Sequence, residues 1–119
     1  MKAVDEKTLS NFIQNLLDGN FYEAHEDLEA IWFARRFEDS DEIKLIKGFI
    51  NASVSFELKK KGKETQAEKV WQNYLKYLPL LDEVYSTHKE KYIYISKIIN
   101  DLKNKKIEYK KKDIYEKFL

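Results

Sequence analysis

The chain has 119 residues, 43% of them apolar and 36% charged, which suits one soluble domain with a modest core. There is no cysteine and there are two histidines, so disulfides and thiolate chemistry are excluded and any metal would rest on imidazole and carboxylate ligands. Net charge is +1 but divided, with −7 over residues 1–42 and +8 over residues 43–119, a split that can attract two halves or two copies to each other.

No stretch approaches the roughly 18 uninterrupted apolar residues of a membrane span, and no basic segment leads into an apolar run at the N-terminus. No membrane partner and a cytoplasmic location are therefore expected. Three glycines and one proline leave little material for strand turns. Apolar residues recur at threes and fours almost throughout, so the chain reads as a single all-α domain over residues 1–119, an antiparallel bundle of about five helices.

The first helix is predicted from Glu6 to Asp18, with the stripe Leu9, Phe12, Ile13, Leu16 and Leu17. Gly19 stops it and Asn20 is placed to cap the second helix, giving a tight antiparallel hairpin. That second helix is expected to run to about Phe37 and carries the most informative stretch, Phe21-Tyr-Glu-Ala-His-Glu-Asp-Leu-Glu-Ala-Ile-Trp32. At about 100° per residue from Phe21, Leu28 falls near 340°, Trp32 near 20°, His25 near 40° and Glu29 near 80°. His25 is thus expected within the apolar stripe with Glu29 at its edge, while Glu26 and Asp27 read as solvent-facing. An imidazole among Leu and Trp needs a hydrogen-bond partner, and Glu29, one turn on, is the nearest candidate.

Asp39 with Glu42 resembles a capping box for a third helix over about 41–61. Ile46, Phe49, Ile50 and Ser53 form one side of it and the small residues Gly48, Ala52 and Ser55 another, so this helix is expected at the centre, closely approached by a neighbour. Gly62 ends it. Thr65 with Glu68 and Thr87 with Glu90 are further capping-box matches. A fourth helix with Ala67, Val70, Trp71, Tyr74, Leu75 and Leu78 is interrupted at Pro79, and a fifth over about 88–106 turns Tyr92, Ile95, Ile98, Ile99 and Leu102 inward. The Lys-rich tail from 103 to 119 has a pattern, Ile107, Ile114, Tyr115 and Phe118, fit to dock as a short helix.

The stretch Gly19-Asn20-Phe21-Tyr22-Glu23-Ala24-His25-Glu26-Asp27-Leu28-Glu29-Ala30-Ile31-Trp32 resembles the signature of a small prokaryotic family, domain of unknown function 309. A second block agrees with it: Lys47-Gly48-Phe49-Ile50-Asn51, then small and apolar residues to Phe56, then Lys60-Lys61-Gly62-Lys63. Lys47 and Asn51 stand where that family usually has glutamine, and Asn51 keeps an amide on a shorter reach. The resemblance covers roughly residues 10–80 and implies an all-α bundle of about five helices, with no established activity or cofactor.

His25 and Glu29 are the candidate catalytic pair, the Glu fixing the imidazole tautomer and raising its pKa. The competing reading is a buried structural hydrogen bond that locks one helix face. Trp32, Tyr22, Glu26 and Asn51 are the candidate ligand-binding residues around the pair. No metal is assigned, because a stable transition-metal site wants three or four ligands. Arg35 and Arg36 are expected to pair with Glu38, Asp39 or Asp41, Trp71 to be core, and His88 to be exposed and without a role. Three functional classes follow: a small-ligand or catalytic site on the second helix, a helical interaction module or homodimer, and nucleic-acid binding through the Lys-rich segments 59–63 and 103–112. The near-neutral balance weighs against the last.

Overall fold

Apolar stripes and glycine stops divide the chain as its periodicity predicts. The computed structural model describes residues 3–105, which form α1 (Glu6–Leu17), α2 (Phe21–Arg35), α3 (Asp41–Lys60), α4 (Glu64–Tyr77) and α5 (Lys89–Lys103). A 3-10 turn, Leu78–Asp82, joins α4 to α5 and holds Pro79 in its first turn, where the missing N–H costs nothing. No strand occurs among the described residues, and no described helix is long and apolar enough to cross a membrane. The tail positions Ile107, Ile114, Tyr115 and Phe118 lie outside the described residues.

Gly19 and Gly62 end α1 and α3 with φ of 77° and 80°, a region open to glycine at little cost. Each closes a paired turn: Asn20 N–H reaches the Asn15 carbonyl at 2.8 Å and Gly19 N–H that of Leu16 at 3.2 Å, and Lys63 and Gly62 repeat the pattern on Leu58 and Lys59 at 2.9 and 3.0 Å. Because these turns are so short, the residue completing one helix end also starts the next helix. Asn20 and Lys63 are therefore the N-caps of α2 and α4, and neither makes a side-chain cap bond. Thr65 consequently lies inside α4 rather than ahead of it. The Asp39 capping box also gives way: extended Ser40 is the cap of α3, its Oγ accepting from Ile43 N–H at 3.3 Å, while Glu42 is drawn elsewhere. At α5 the cap is His88, not Thr87.

Helix α3 is the central element. It packs against α2 on one side, α4 on the other and α5 beneath, and α1 packs on α2. Ten of its residues are buried, from Ile43 to Phe56. Phe49 is fully enclosed and joins Phe12 of α1, Tyr74 of α4 and Tyr92 of α5 at ring-centroid distances of 6.4, 6.4 and 5.9 Å. Trp71 is core, stacked between Phe56 and Tyr74.

The small side of α3 admits α4, as its spacing predicts. Gly48 lies so close that a β-carbon there would come within 2.9 Å of Tyr77 Cβ, the stiff root of that side chain. Gly48→Ala ordinarily gains about 1 kcal/mol of helix propensity. Overpacking by one methyl costs about 1–3 kcal/mol, so the expected net result is a loss of about 1 kcal/mol, read as a lower urea midpoint. A midpoint that rises would show that the two helices can part without cost.

Candidate functional site

Helix α2 buries Phe21, Ala24, Leu28 and Ile31. Their mean direction on the helix is about 320°, rotated by some 30° from the midpoint of Phe21 and Leu28 alone. The rotation arises because α2 is covered by α1 as well as α3. It brings Asp27 inward: this residue is half-buried and accepts from Asn15 Nδ2 of α1 at 2.7 Å, where it had been read as solvent-facing. Burial there raises the Asp27 carboxyl above its usual range, against the opposing bond from Asn15. Glu26 is exposed, as read.

The same rotation leaves His25, Glu29 and Trp32 half-buried along the opposite edge of α2. His25 Nδ1 lies 2.9 Å from the Tyr22 carbonyl. A carbonyl oxygen only accepts, so Nδ1 carries a proton, and in the neutral ring the lone pair is on Nε2. Glu29 makes no hydrogen bond to His25. Side chains of a helix lean toward its N-terminus, which brings the imidazole over the preceding turn and away from the following one. The Tyr22 ring stands 5.2 Å from the imidazole, tilted at 59°. Nε2 has no hydrogen-bond partner among the described residues.

Trp32 shares this edge of α2, about 20° from His25 on the helix. The Lys47 ammonium of α3 sits 3.9 Å above its indole ring, a placement that favours cation and ring alike. Lys47 belongs to the least covered strip of α3, which continues through Asn51, Val54 and Leu58 between the flanking helices α2 and α4. Asn51 donates to the Lys47 carbonyl at 2.8 Å and accepts from Asn73 Nδ2 of α4 at 3.4 Å. Flanked by α2 and α4, this half-buried strip of α3 outlines a groove. The structure brings His25 and Tyr22 into contact, sets Trp32 and Glu29 along the same edge, and puts Asn51 on the floor without a hydrogen bond to α2. Among the described residues, no group of three or more His, Asp or Glu is gathered as a metal could use. A hollow of about 300 Å³ lies elsewhere, lined by Ser55, Glu64, Glu68 and Lys103.

A second polar cluster was not visible in the sequence. At the start of α3, Glu42 accepts from Ser86 Oγ at 2.6 Å and from the Tyr92 hydroxyl at 2.5 Å. These partners lie 44 and 50 residues away, beyond any local motif. Burial, and then the bond to Glu42, pushes the Tyr92 hydroxyl far above its usual range. Arg35 forms a fork with Glu38, its Nε and Nη2 each 3.0 Å from a carboxylate oxygen, which is the pairing expected of it. Arg36 instead stacks between Phe33 and Phe37.

His88, read as exposed and idle, is held at both ring nitrogens. Its side chain is 15% exposed, with Nδ1 2.8 Å from Glu6 Oε1 and Nε2 donating to the Val4 carbonyl at 3.0 Å. The reason lies in tertiary packing: the start of α5 meets the segment ahead of α1. Bonds from His88 and Lys91 hold the Glu6 carboxyl below its usual 4.5. A depressed carboxyl contributes stability above its unfolded pKa and loses it as pH falls through the folded one. Glu6→Gln is therefore expected to lower the urea midpoint at neutral pH, and the difference from the parent chain should close in the acid range below 4.5. Because Glu6 is 61% exposed, the neutral-pH cost stays within the roughly 1 kcal/mol of a screened surface pair.

The fold and the groove define a small all-α protein built around one histidine-bearing helix. The residues that carry this helix, all of α3 and the first half of α4 belong to a recognised group of sequences. The chain is a member of the family described as Domain of unknown function (DUF309), which it matches over residues 9–70, just over half its length. No curated protein and no solved structure matches it significantly.

Proposed function

We propose that the groove between α2 and α4 is a small-ligand site in which His25 Nε2 receives a hydrogen bond or a proton. One observation carries the reading: the Tyr22 carbonyl fixes the imidazole with Nδ1 protonated, leaving an unpaired Nε2 lone pair at the rim of the groove. Metal-binding and general-base histidines are oriented by the same kind of backbone bond. Lys47 supplies a cation beside the Trp32 indole, Asn51 an amide on the floor, and Glu29, at the edge, a charge to stabilise an imidazolium once the proton has moved. A small acid fits this set: its proton faces His25 and its anion faces Lys47. Tyr22 and Glu26 flank the entrance. The alternative of a purely structural His25 is weakened because its one bond is to its own helix and ties no second element.

The test has two stages. Long-range ¹H–¹⁵N correlation spectra are expected to show the neutral imidazole of His25 protonated at Nδ1. Small carboxylates and inorganic phosphate are then titrated, with shifts expected at the His25 ring and the Trp32 indole N–H. The Trp32 shift should be lost in both His25→Ala and Lys47→Met, and the His25 ring shift in Lys47→Met. Absence of any shift, or equal shifts in both variants, would overturn the reading.

A further inference from the structure

The outward face of α2, distinct from the His25 edge, points to a second function. Glu23, Glu26, Ala30 and Phe33 follow one another on α2 at steps of three and four, the spacing of a helix–helix seam, and Phe37 extends the face four residues on, in the turn after the helix. All are exposed, Phe33 to 56% and Phe37 to 89%, and Ala34 beside them is exposed too. The two rings are held in place. The Arg36 guanidinium lies 3.7 Å from the Phe33 ring centre and 4.4 Å from that of Phe37, and it donates to the Phe33 carbonyl. Exposed aromatic rings clasped by arginine are the composition of an interface core. An ordered platform also loses little freedom on binding.

We infer that this face is where a second copy of the chain docks, with the two α2 helices antiparallel across a two-fold axis beside Phe33 and Ala34. The face is self-complementary in shape, because bulky and small residues alternate. With the axis placed there, Phe37 of one copy lies over Ala30 of the other, and Phe33 lies over Ala34. It is also self-complementary in charge. The first half of α2 carries Glu23, Glu26 and Glu29 and its end carries Arg36, so an antiparallel pair sets Arg36 of each copy within a turn of Glu29 of the other. A parallel pair would set like charge on like. This inference does not rest on the ligand reading: Glu26 and Glu29 border both features, but the rings of Phe33 and Phe37 stand away from His25.

Sedimentation equilibrium tests it, with the weight-average mass expected to rise from one chain toward two as concentration increases. Phe33→Glu with Phe37→Glu, both at exposed positions, should hold the chain monomeric with an unchanged helical circular dichroism spectrum. Arg36→Glu and Glu29→Arg should each self-associate less, and an equimolar mixture of the two should recover the dimer, because each altered charge then meets its opposite. The chain has no native cysteine, so Ala34→Cys provides an independent readout. Lying near the axis, it should oxidise to a disulfide-linked dimer, whereas Lys69→Cys, exposed on α4, should not. A concentration-independent monomer, or a dimer indifferent to the Phe33 and Phe37 changes, would overturn the proposal.

Discussion

Replacing Phe49 with alanine is expected to remove about 3–5 kcal/mol of stability. Phe49 is fully buried and its ring meets aromatic rings from α1, α4 and α5. Deleting it takes away apolar area and also leaves a cavity that no single neighbour can fill, since the surrounding rings belong to different helices. Against a net stability of about 5–15 kcal/mol for a domain, that loss is a large share. Leu75 is the control. It is 40% exposed on α4, and its truncation should cost less than about 1 kcal/mol. Urea unfolding checks both, with a large drop in midpoint and a preserved slope expected for Phe49→Ala. Comparable losses at the two positions would show that the bundle is not centred on α3.

Much of this architecture was readable from spacing. The stripe Leu9, Phe12, Ile13, Leu16 and Leu17 is buried throughout, as are Tyr92, Ile95, Ile98 and Ile99 of α5. Gly48, Ala52 and Ser55 marked the side on which α4 approaches. Periodicity works in these cases because the buried residues of each helix fall within one stripe. It fails on α2, which is covered from two directions. A single stripe through Leu28, Trp32 and His25 missed the pull of α1, and with it the turn of Asp27 toward Asn15. Caps failed too. Ser40 took the place of Asp39 at the start of α3, and in the three-residue turns 18–20 and 61–63 the N-caps Asn20 and Lys63 make no side-chain cap bond.

The site was less readable than the fold. Spacing placed His25, Glu29 and Trp32 on one edge, but a helical wheel carries no information about which way a side chain leans. The imidazole took the carbonyl behind it instead of the carboxylate ahead. His88 shows the limit more sharply, because both its partners, Val4 and Glu6, lie more than 80 residues away along the chain. Partners at that separation are fixed by how α1 and α5 dock, not by any local signal.

Removing the Glu42 carboxylate should produce the largest polar loss in the molecule. Two hydroxyls converge on one of its oxygens, Ser86 at 2.6 Å and Tyr92 at 2.5 Å, tying the start of α3 to α5 and to the segment before it. Hydrogen bonds to a charged group contribute about 1.5–3 kcal/mol each, and a buried hydroxyl left without a partner adds its own desolvation cost. Glu42→Ala is therefore expected to cost on the order of 3 kcal/mol. Tyr92→Phe removes donor and need together, so its cost should stay near 1–2 kcal/mol. A double-mutant cycle should then show strong coupling, because the second change relieves the orphaned hydroxyl left by the first. Titration offers a further check. Burial of Tyr92 penalises its phenolate, so its folded pKa lies above the ordinary 10.0. The stability this contributes is complete below that value and declines as pH climbs above it. Ultraviolet difference spectra should accordingly show Tyr92 ionising only as the chain unfolds in alkali, in a step smaller by one phenolate in Tyr92→Phe, the remainder coming from Tyr74, which burial also holds protonated. Independent, additive effects of Glu42→Ala and Tyr92→Phe would mean that the carboxylate and the hydroxyl do not hold these elements together.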